Sequence, residues 1–184
     1  MDSQKALELL KEGNARFISG ALTPKDHYEE ERRKLSEGQH PFAVVLCCSD
    51  SRVVPEIFFD QQLGDLFVIR NAGNVVDLHV LGSIEYAVEH LGAPLVVVLG
   101  HSNCGAVTAT CQGGEVLGHI VDIVKHIKPS ISTDCCVNDN ARRHAERMAR
   151  LIGKDPIVKH LKATVVPAFY DIASGVVEWR GIES

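Results

Sequence analysis

Two unbroken apolar runs constrain this chain more than any other feature. Phe42-Ala43-Val44-Val45-Leu46-Cys47 and Pro94-Leu95-Val96-Val97-Val98-Leu99-Gly100 are rich in β-branched residues and show no polar alternation. A strand with one wet face alternates; runs like these read as strands buried on both faces, as in a parallel sheet covered by helices on both sides. The segments between them agree. Residues 3–19 predict an amphipathic helix, capped by Ser3 and stopped at Gly20. Pro24 opens a second helix, whose charge-dense run Tyr28 to Leu35 ends near Gly38. Strand 42–48 is followed by a short helix over 55–59, with proline at its start. Next come a strand over 66–70, a loop over 71–74 that uses the freedom of Gly73, and a helix over 78–91. After strand 95–99, helices start near Asn103 and span 116–128 and 139–152, the last with Ala145, Met148, Ala149 and Ile152 inward. A fourth strand runs over 163–170, with Pro167 marking an edge or a bulge. A turn at 171–175 leads to a short antiparallel strand over 176–179.

This alternation gives an α/β fold: a mainly parallel central sheet of about four strands, a short antiparallel edge strand, flanking helices and an N-terminal helical arm. The chain reads as one domain, with 1–38 as the arm and 39–184 as the core.

The chemistry gathers where the two apolar runs end. The first is followed by Cys48-Ser49-Asp50-Ser51-Arg52 and the second by His101-Ser102-Asn103-Cys104-Gly105. If the backbone stays extended, Cys48, Asp50 and Arg52 share one side. A turn or helix start after His101 brings it onto one face with Cys104. If the two strands are neighbours whose connections leave in opposite directions, a crevice opens at their C-terminal tips. Two thiols and one imidazole there make a three-ligand zinc site, and the open fourth position is the mark of a catalytic rather than a structural zinc. Asp50 and Arg52 read as a dyad: Arg52 holds the carboxylate away from the metal through a charge-assisted pair, and without it Asp50 could swing in as a fourth ligand. Two thiolates neutralise the charge of Zn2+, so activity is expected to rise with pH.

Cys-x-Asp-Ser-Arg followed by His-x-x-Cys-Gly resembles the β-class carbonic anhydrases. The likeness runs from Gln39 to Val107, through Asp65-Leu66-Phe67-Val68-Ile69-Arg70-Asn71-Ala72-Gly73-Asn74. It implies one Zn2+ per chain on Cys48, His101 and Cys104, and reversible hydration of CO2 to bicarbonate by hydroxide on that zinc. Asp50 orients the hydroxide and Arg52 holds Asp50. Gln39, Phe67, Ala72 and Tyr86 fall where the family lines its substrate pocket, and the backbone N–H of Gly105 is a further donor to substrate. Family members pack such N-terminal helices over a neighbouring subunit, which implies a homodimer or a dimer-based higher homo-oligomer. One branch of the family carries a tryptophan three residues before the first zinc cysteine, as part of a non-catalytic bicarbonate pocket; Val45 stands there, so no such regulatory site is expected. Hydrolases of carbon disulfide or carbonyl sulfide resemble the same family and are the nearest alternative. A non-catalytic zinc or thiol-redox protein is the other, and the open fourth position and the dyad argue against it.

Composition excludes several further classes. A net charge of −5 gives no basic footprint for nucleic acid, and no apolar run approaches the length of a membrane span. Met1-Asp2-Ser3-Gln4-Lys5 lacks the apolar stretch of a secretory signal, and six cysteines without one point to a reducing, cytoplasmic setting. Cys47 should face away from Cys48, into the core. Cys111, Cys135 and Cys136 show no metal-ligand spacing.

Overall fold

In the computed structural model, which describes residues 1–181, five strands lie in the order β2-β1-β3-β4-β5. They are β1 (Ala43–Cys48), β2 (Leu66–Asn71), β3 (Leu95–His101), β4 (Thr164–Tyr170) and β5 (Val177–Trp179). All pairs are parallel except β4 with β5. The two apolar runs are the central β1 and β3, and every residue of both is buried. The last three residues of the stretch read as 39–184 lie outside the described ones.

Among the described residues eight α-helices surround the sheet: α1 (Ser3–Ser19), α2 (Tyr28–Lys34), α3 (Pro55–Phe58), α4 (Leu78–Glu89), α5 (Gly105–Gln112), α6 (Ile120–Ile127), α7 (Val137–Ile152) and α8 (Pro156–His160). Strand alternation sorts their partners. Val44, Leu46, Val96 and Val98 point to the face covered by α4, α7 and α8, where they meet Ile84, Met148 and Ile152. Ala43, Val45, Cys47, Leu95, Val97 and Leu99 point to the other face, against Ala6 and Leu10 of α1 and Phe58 of α3. β1 connects outward to β2 and β3 connects outward to β4, so the connections part at the β1/β3 boundary and open the expected crevice at the C-terminal tips.

Several boundaries differ from the sequence reading for local reasons. Asp2, not Ser3, caps α1, by accepting the Lys5 amide at 2.8 Å. The helix expected from 116 begins at Ile120, because Gly113, Gly114 and Gly118 hold positive φ in the preceding loop. The short α8 was not foreseen, although Asp155-Pro156 is a helix start: the Asp155 carboxylate accepts the amides of Ile157 and Val158. Pro167 sits in no bulge, since β4 pairs with β3 along its whole length, but it does sit on a local edge, since β5 pairs only with 168–170 on the other side. The Pro167 carbonyl accepts the Arg180 amide at 3.0 Å on the opposite side, just where β5 stops at Trp179. A strand residue turns its N and O to the same side, so the missing N–H faces the side on which β4 has no ladder partner at this position.

α1 docks against its own sheet through a polar anchor as well as its apolar stripe. Buried Asn14 donates to the carbonyls of Phe58 and Gly175 and accepts the Val177 amide, joining α1 to α3 and to the start of β5. The contact needs a residue without a side chain at position 13: a Cβ on Gly13 would lie 1.7 Å from the Phe59 carbonyl oxygen, which is backbone and has no rotamer to move. Gly13→Ala is therefore expected to destabilise the fold by about 3 kcal/mol or more, read as a drop in melting temperature of ~10 °C.

Candidate metal centre

Cys48 is the last residue of β1 and His101 the last of β3, so the sheet itself brings them to one crevice. After His101 the chain reverses through Asn103, whose φ of 54° lies in the left-handed region, and this returns Cys104 to the tips as the residue capping α5. The ligating atoms of Cys48, His101 and Cys104 all lie within 4.8 Å of one another. All three residues are buried, and Val75, Val107, Ile127, Ala141 and Phe169 pack around the cysteines.

The imidazole is already set for coordination. Its Nδ1 lies 3.0 Å from the Ser102 carbonyl, which can only accept, so the proton sits on Nδ1. Nε2 is then left with its lone pair in a ring that is 0% exposed, and it has no hydrogen-bond partner. An orphaned lone pair in an apolar interior costs free energy, which a cation between the three donors removes. The donor set therefore fits Zn2+: two thiolates, one neutral imidazole and no fourth protein ligand within reach.

The two thiols do not titrate alike. The hydrogen bond from Cys104, together with the amides of Gly73 and Asp50, pulls the Cys48 thiol down to about 4. The same hydrogen bond and burial push Cys104 strongly up. One proton leaves the pair readily and the other stays until a positive charge arrives. Cys47, one residue away, lies on the opposite face, and burial raises it to about 12.

Arg52 reaches Asp50 by a turn rather than along an extended backbone. The Val53 amide donates to the Asp50 carbonyl at 2.9 Å, closing a turn over residues 50–53. Asp50 Oδ1 accepts the Arg52 amide at 3.0 Å and Nε at 2.9 Å, while Oδ2 accepts the guanidinium at 2.7 Å. This bidentate grip holds the Asp50 carboxyl well below the usual carboxylate range. Arg70 fixes the same segment from β2, donating to the carbonyls of Cys48 at 3.3 Å and Asp50 at 2.8 Å. Val45 is buried in the core on the other face.

A family model described as carbonic anhydrase matches residues 43–177. The chain belongs to the β-class carbonic anhydrases. A carbonic anhydrase from Mycolicibacterium smegmatis is 54% identical over 189 residues, covering 95% of this chain and 92% of that protein. Among solved structures, a β-carbonic anhydrase of the ascomycete Sordaria macrospora, described as tetrameric, superposes with a TM-score of 0.79 at 26% identity over 97% of this chain and 98% of that one. A carbon disulfide hydrolase superposes with a TM-score of 0.62, but at 16% identity over 82% of this chain and 87% of its own, and this shows a shared fold alone.

Not every residue that the family resemblance marked lies near the metal cluster of this enzyme. Ala72 and Gly105 do: each is exposed and adjoins a residue of the cluster, Ala72 preceding Gly73 and Gly105 following Cys104. Gln39, Phe67 and Tyr86 do not. Phe67 lies opposite Val44 at the start of β2, whereas Cys48 lies opposite Asn71 at its end, ~13 Å further along the sheet. Tyr86 packs beside Phe67 with ring centroids 6.3 Å apart, and Gln39 is exposed ahead of β1. Within one chain these three stand at the wrong end of the sheet to touch a ligand held by the cysteines.

The sequence reading missed Arg70 as a clamp and His144 altogether. His144 is on the inward stripe of α7, one turn before Met148 and three residues after Ala141, so helical periodicity alone places it inside. It is completely buried and sits directly behind the metal cluster: Nε2 lies 2.9 Å from the Gly73 carbonyl and Nδ1 3.1 Å from Ser130 Oγ. Burial lowers its pKa from 6.5 to about 4. A folded-state pKa below the unfolded one gives stability that is complete above pH 6.5 and is lost as pH falls toward 4. In the metal-free protein this loss is expected to reach about 3 kcal/mol. Urea unfolding at pH 7 and pH 4.5 checks it, and His144→Gln should flatten that part of the pH dependence.

Proposed function

We propose that this enzyme interconverts CO2 and bicarbonate at a zinc ion held by Cys48, His101 Nε2 and Cys104. The observation that carries the reading is the buried three-donor cluster with an unpaired imidazole nitrogen, beside a carboxylate whose oxygens are both engaged by Arg52. When bound, zinc supplies a Lewis acid and lowers the pKa of a coordinated water so that a nucleophile exists near neutral pH.

The protein's part is orientation and exclusion. Asp50 is ionised throughout the neutral range, because Arg52 holds its pKa down, and it serves as a hydrogen-bond acceptor of fixed direction at the mouth of the cluster. Arg52 also keeps that carboxylate from closing over the metal. Val75, Val107 and Phe169 line the tips with apolar surface, which suits a substrate without charge or hydrogen-bond donors. No histidine is placed to relay the proton, so it leaves to solvent or buffer. Gln39, Phe67 and Tyr86 reach a substrate only from a second copy of the chain, with Tyr86 still 48% exposed in a single copy. The working unit is therefore a homodimer or an assembly of dimers. All six cysteines are free, which fits a cytoplasmic enzyme.

Stopped-flow CO2 hydration by zinc-loaded protein at pH 8.5 tests the reading. Wild type is expected to turn over rapidly, the chelated protein not at all, and Asp50→Ala about 100-fold more slowly with its zinc retained. Cys48→Ser should lose the zinc, measured as metal per chain. One zinc per chain with no CO2 hydration, but with hydrolysis of carbon disulfide, would transfer the site to the sulfur-substrate class. The rate should climb between pH 6 and 9; a flat profile at saturating CO2 would contradict a site carrying two thiolates. Sedimentation should show a dimer or larger species.

A further inference from the structure

Behind the cluster stands a hydrogen-bonded line that the reaction does not touch: Ser130, His144, Gly73, Cys48. We propose that His144 is a positioning residue for the metal centre, holding Gly73 so that its N–H points at the Cys48 sulfur and restrains how strongly that thiolate donates to a bound metal. The proposal rests on reading the cluster as a metal site.

The directions of the hydrogen bonds follow from chemistry. The Gly73 carbonyl can only accept, so His144 Nε2 carries the proton and donates across 2.9 Å. Nδ1 then holds the lone pair and takes the hydroxyl proton of Ser130, 3.1 Å away. Both ring nitrogens are satisfied and the tautomer is fixed. On the other side of Gly73, its own N–H donates to Cys48 Sγ at 3.3 Å.

Gly73 needs an external hold. It adopts φ 74°, ψ 21°, a left-handed conformation that glycine enters freely and leaves as freely. A side chain cannot stiffen it, because a Cβ at this position would lie 2.8 Å from Ile127 Cδ1 and 3.0 Å from Ala106 Cβ. The residue that directs an amide at the thiolate must therefore be the least constrained kind in the chain, and hydrogen bonding has to replace steric restraint. His144 supplies that bond from α7, which is fixed independently by Ala145, Met148, Ala149 and Ile152 in the core. An N–H donor draws electron density from a thiolate. Where two thiolates already offset most of the metal's charge, limiting the donation of one keeps the metal acidic.

Core packing alone would be served as well by a leucine at position 144, and this makes the two roles separable. Cobalt(II) replaces zinc as a spectroscopic probe, read by its sulfur-to-metal charge-transfer band, and zinc affinity is measured by chelator competition. His144→Leu is expected to move the band to lower energy, as the sulfur becomes a better donor, and, because the Gly73 loop against Cys48 is no longer held in its metal-ready position, to weaken zinc binding about 10-fold. His144→Gln, which keeps a donor toward the Gly73 carbonyl, should recover most of both changes. Ser130→Ala, which frees Nδ1 but leaves the ring in place, should move the band a smaller distance in the same direction. Ile152→Val lowers stability from the same helix without reaching the site and should move neither. An unchanged band and affinity in His144→Leu would overturn the proposal, as would equal changes in Ile152→Val. If His144→Leu does not fold, Ser130→Ala decides, and an unmoved band there overturns the proposal. Failure of the wild type to bind cobalt or zinc would remove the metal reading itself and the proposal with it, whereas a metal-loaded wild type with silent variants removes only the role of His144.

Discussion

Two thiols and an unpaired imidazole nitrogen within 4.8 Å of one another, all buried, are a cluster that a protein interior does not tolerate without a purpose. Most of the surrounding structure serves to hold it. The Ser102 carbonyl fixes the His101 tautomer, Gly73 and Asp50 offer amides to Cys48, and Arg70 and Arg52 tie down the chain that follows it. Free groups of this kind would normally be exposed or paired with each other. Here the two thiols share one hydrogen bond and the imidazole nitrogen has no partner, which costs the metal-free protein stability that a cation restores.

The sheet order makes this arrangement possible. Parallel neighbours β1 and β3 present their C-terminal ends side by side, and their outgoing connections part company there. Cys48 therefore meets His101 and Cys104, more than fifty residues later in the chain, without a long loop. Short turns after each strand suffice: residues 50–53 on one side and the reversal at Asn103 on the other. The tips are rigid because the strands beneath them are buried on both faces.

Much of this was legible in the residues themselves. Unbroken apolar runs gave the buried strands, and the chemistry that breaks off abruptly at their ends gave the cluster. What was not legible depends on three-dimensional adjacency or on local turns. Arg52 meets Asp50 through a turn that an extended strand reading does not anticipate. Pro167 signals an edge, and the edge is real because β5 has already ended there, but that β4 is paired with β3 along its whole length does not show in the residues. His144 lies in the inward stripe of α7, but nothing in its own neighbourhood says that the Gly73 carbonyl waits on the other side. Gln39, Phe67 and Tyr86 sit near the start of the sheet, away from the cluster at its other end, and the motifs alone do not show that distance.

Adjacent cysteines in β1 carry a consequence of their own. In a strand with one polar face, a slip by one residue is forbidden because it drives polar groups into the core. β1 has no such safeguard, since both of its faces are apolar; a slip would put Ala43 in the place of Val44, Val45 in that of Leu46, Leu46 in that of Cys47 and Cys47 in that of Cys48. Something other than hydrophobicity must decide which thiol faces the crevice. The unequal sizes of Ala43, the valines and Leu46, each packed in its own place in a buried strand, do so. The core of the sheet thus also decides which sulfur is presented at its tip.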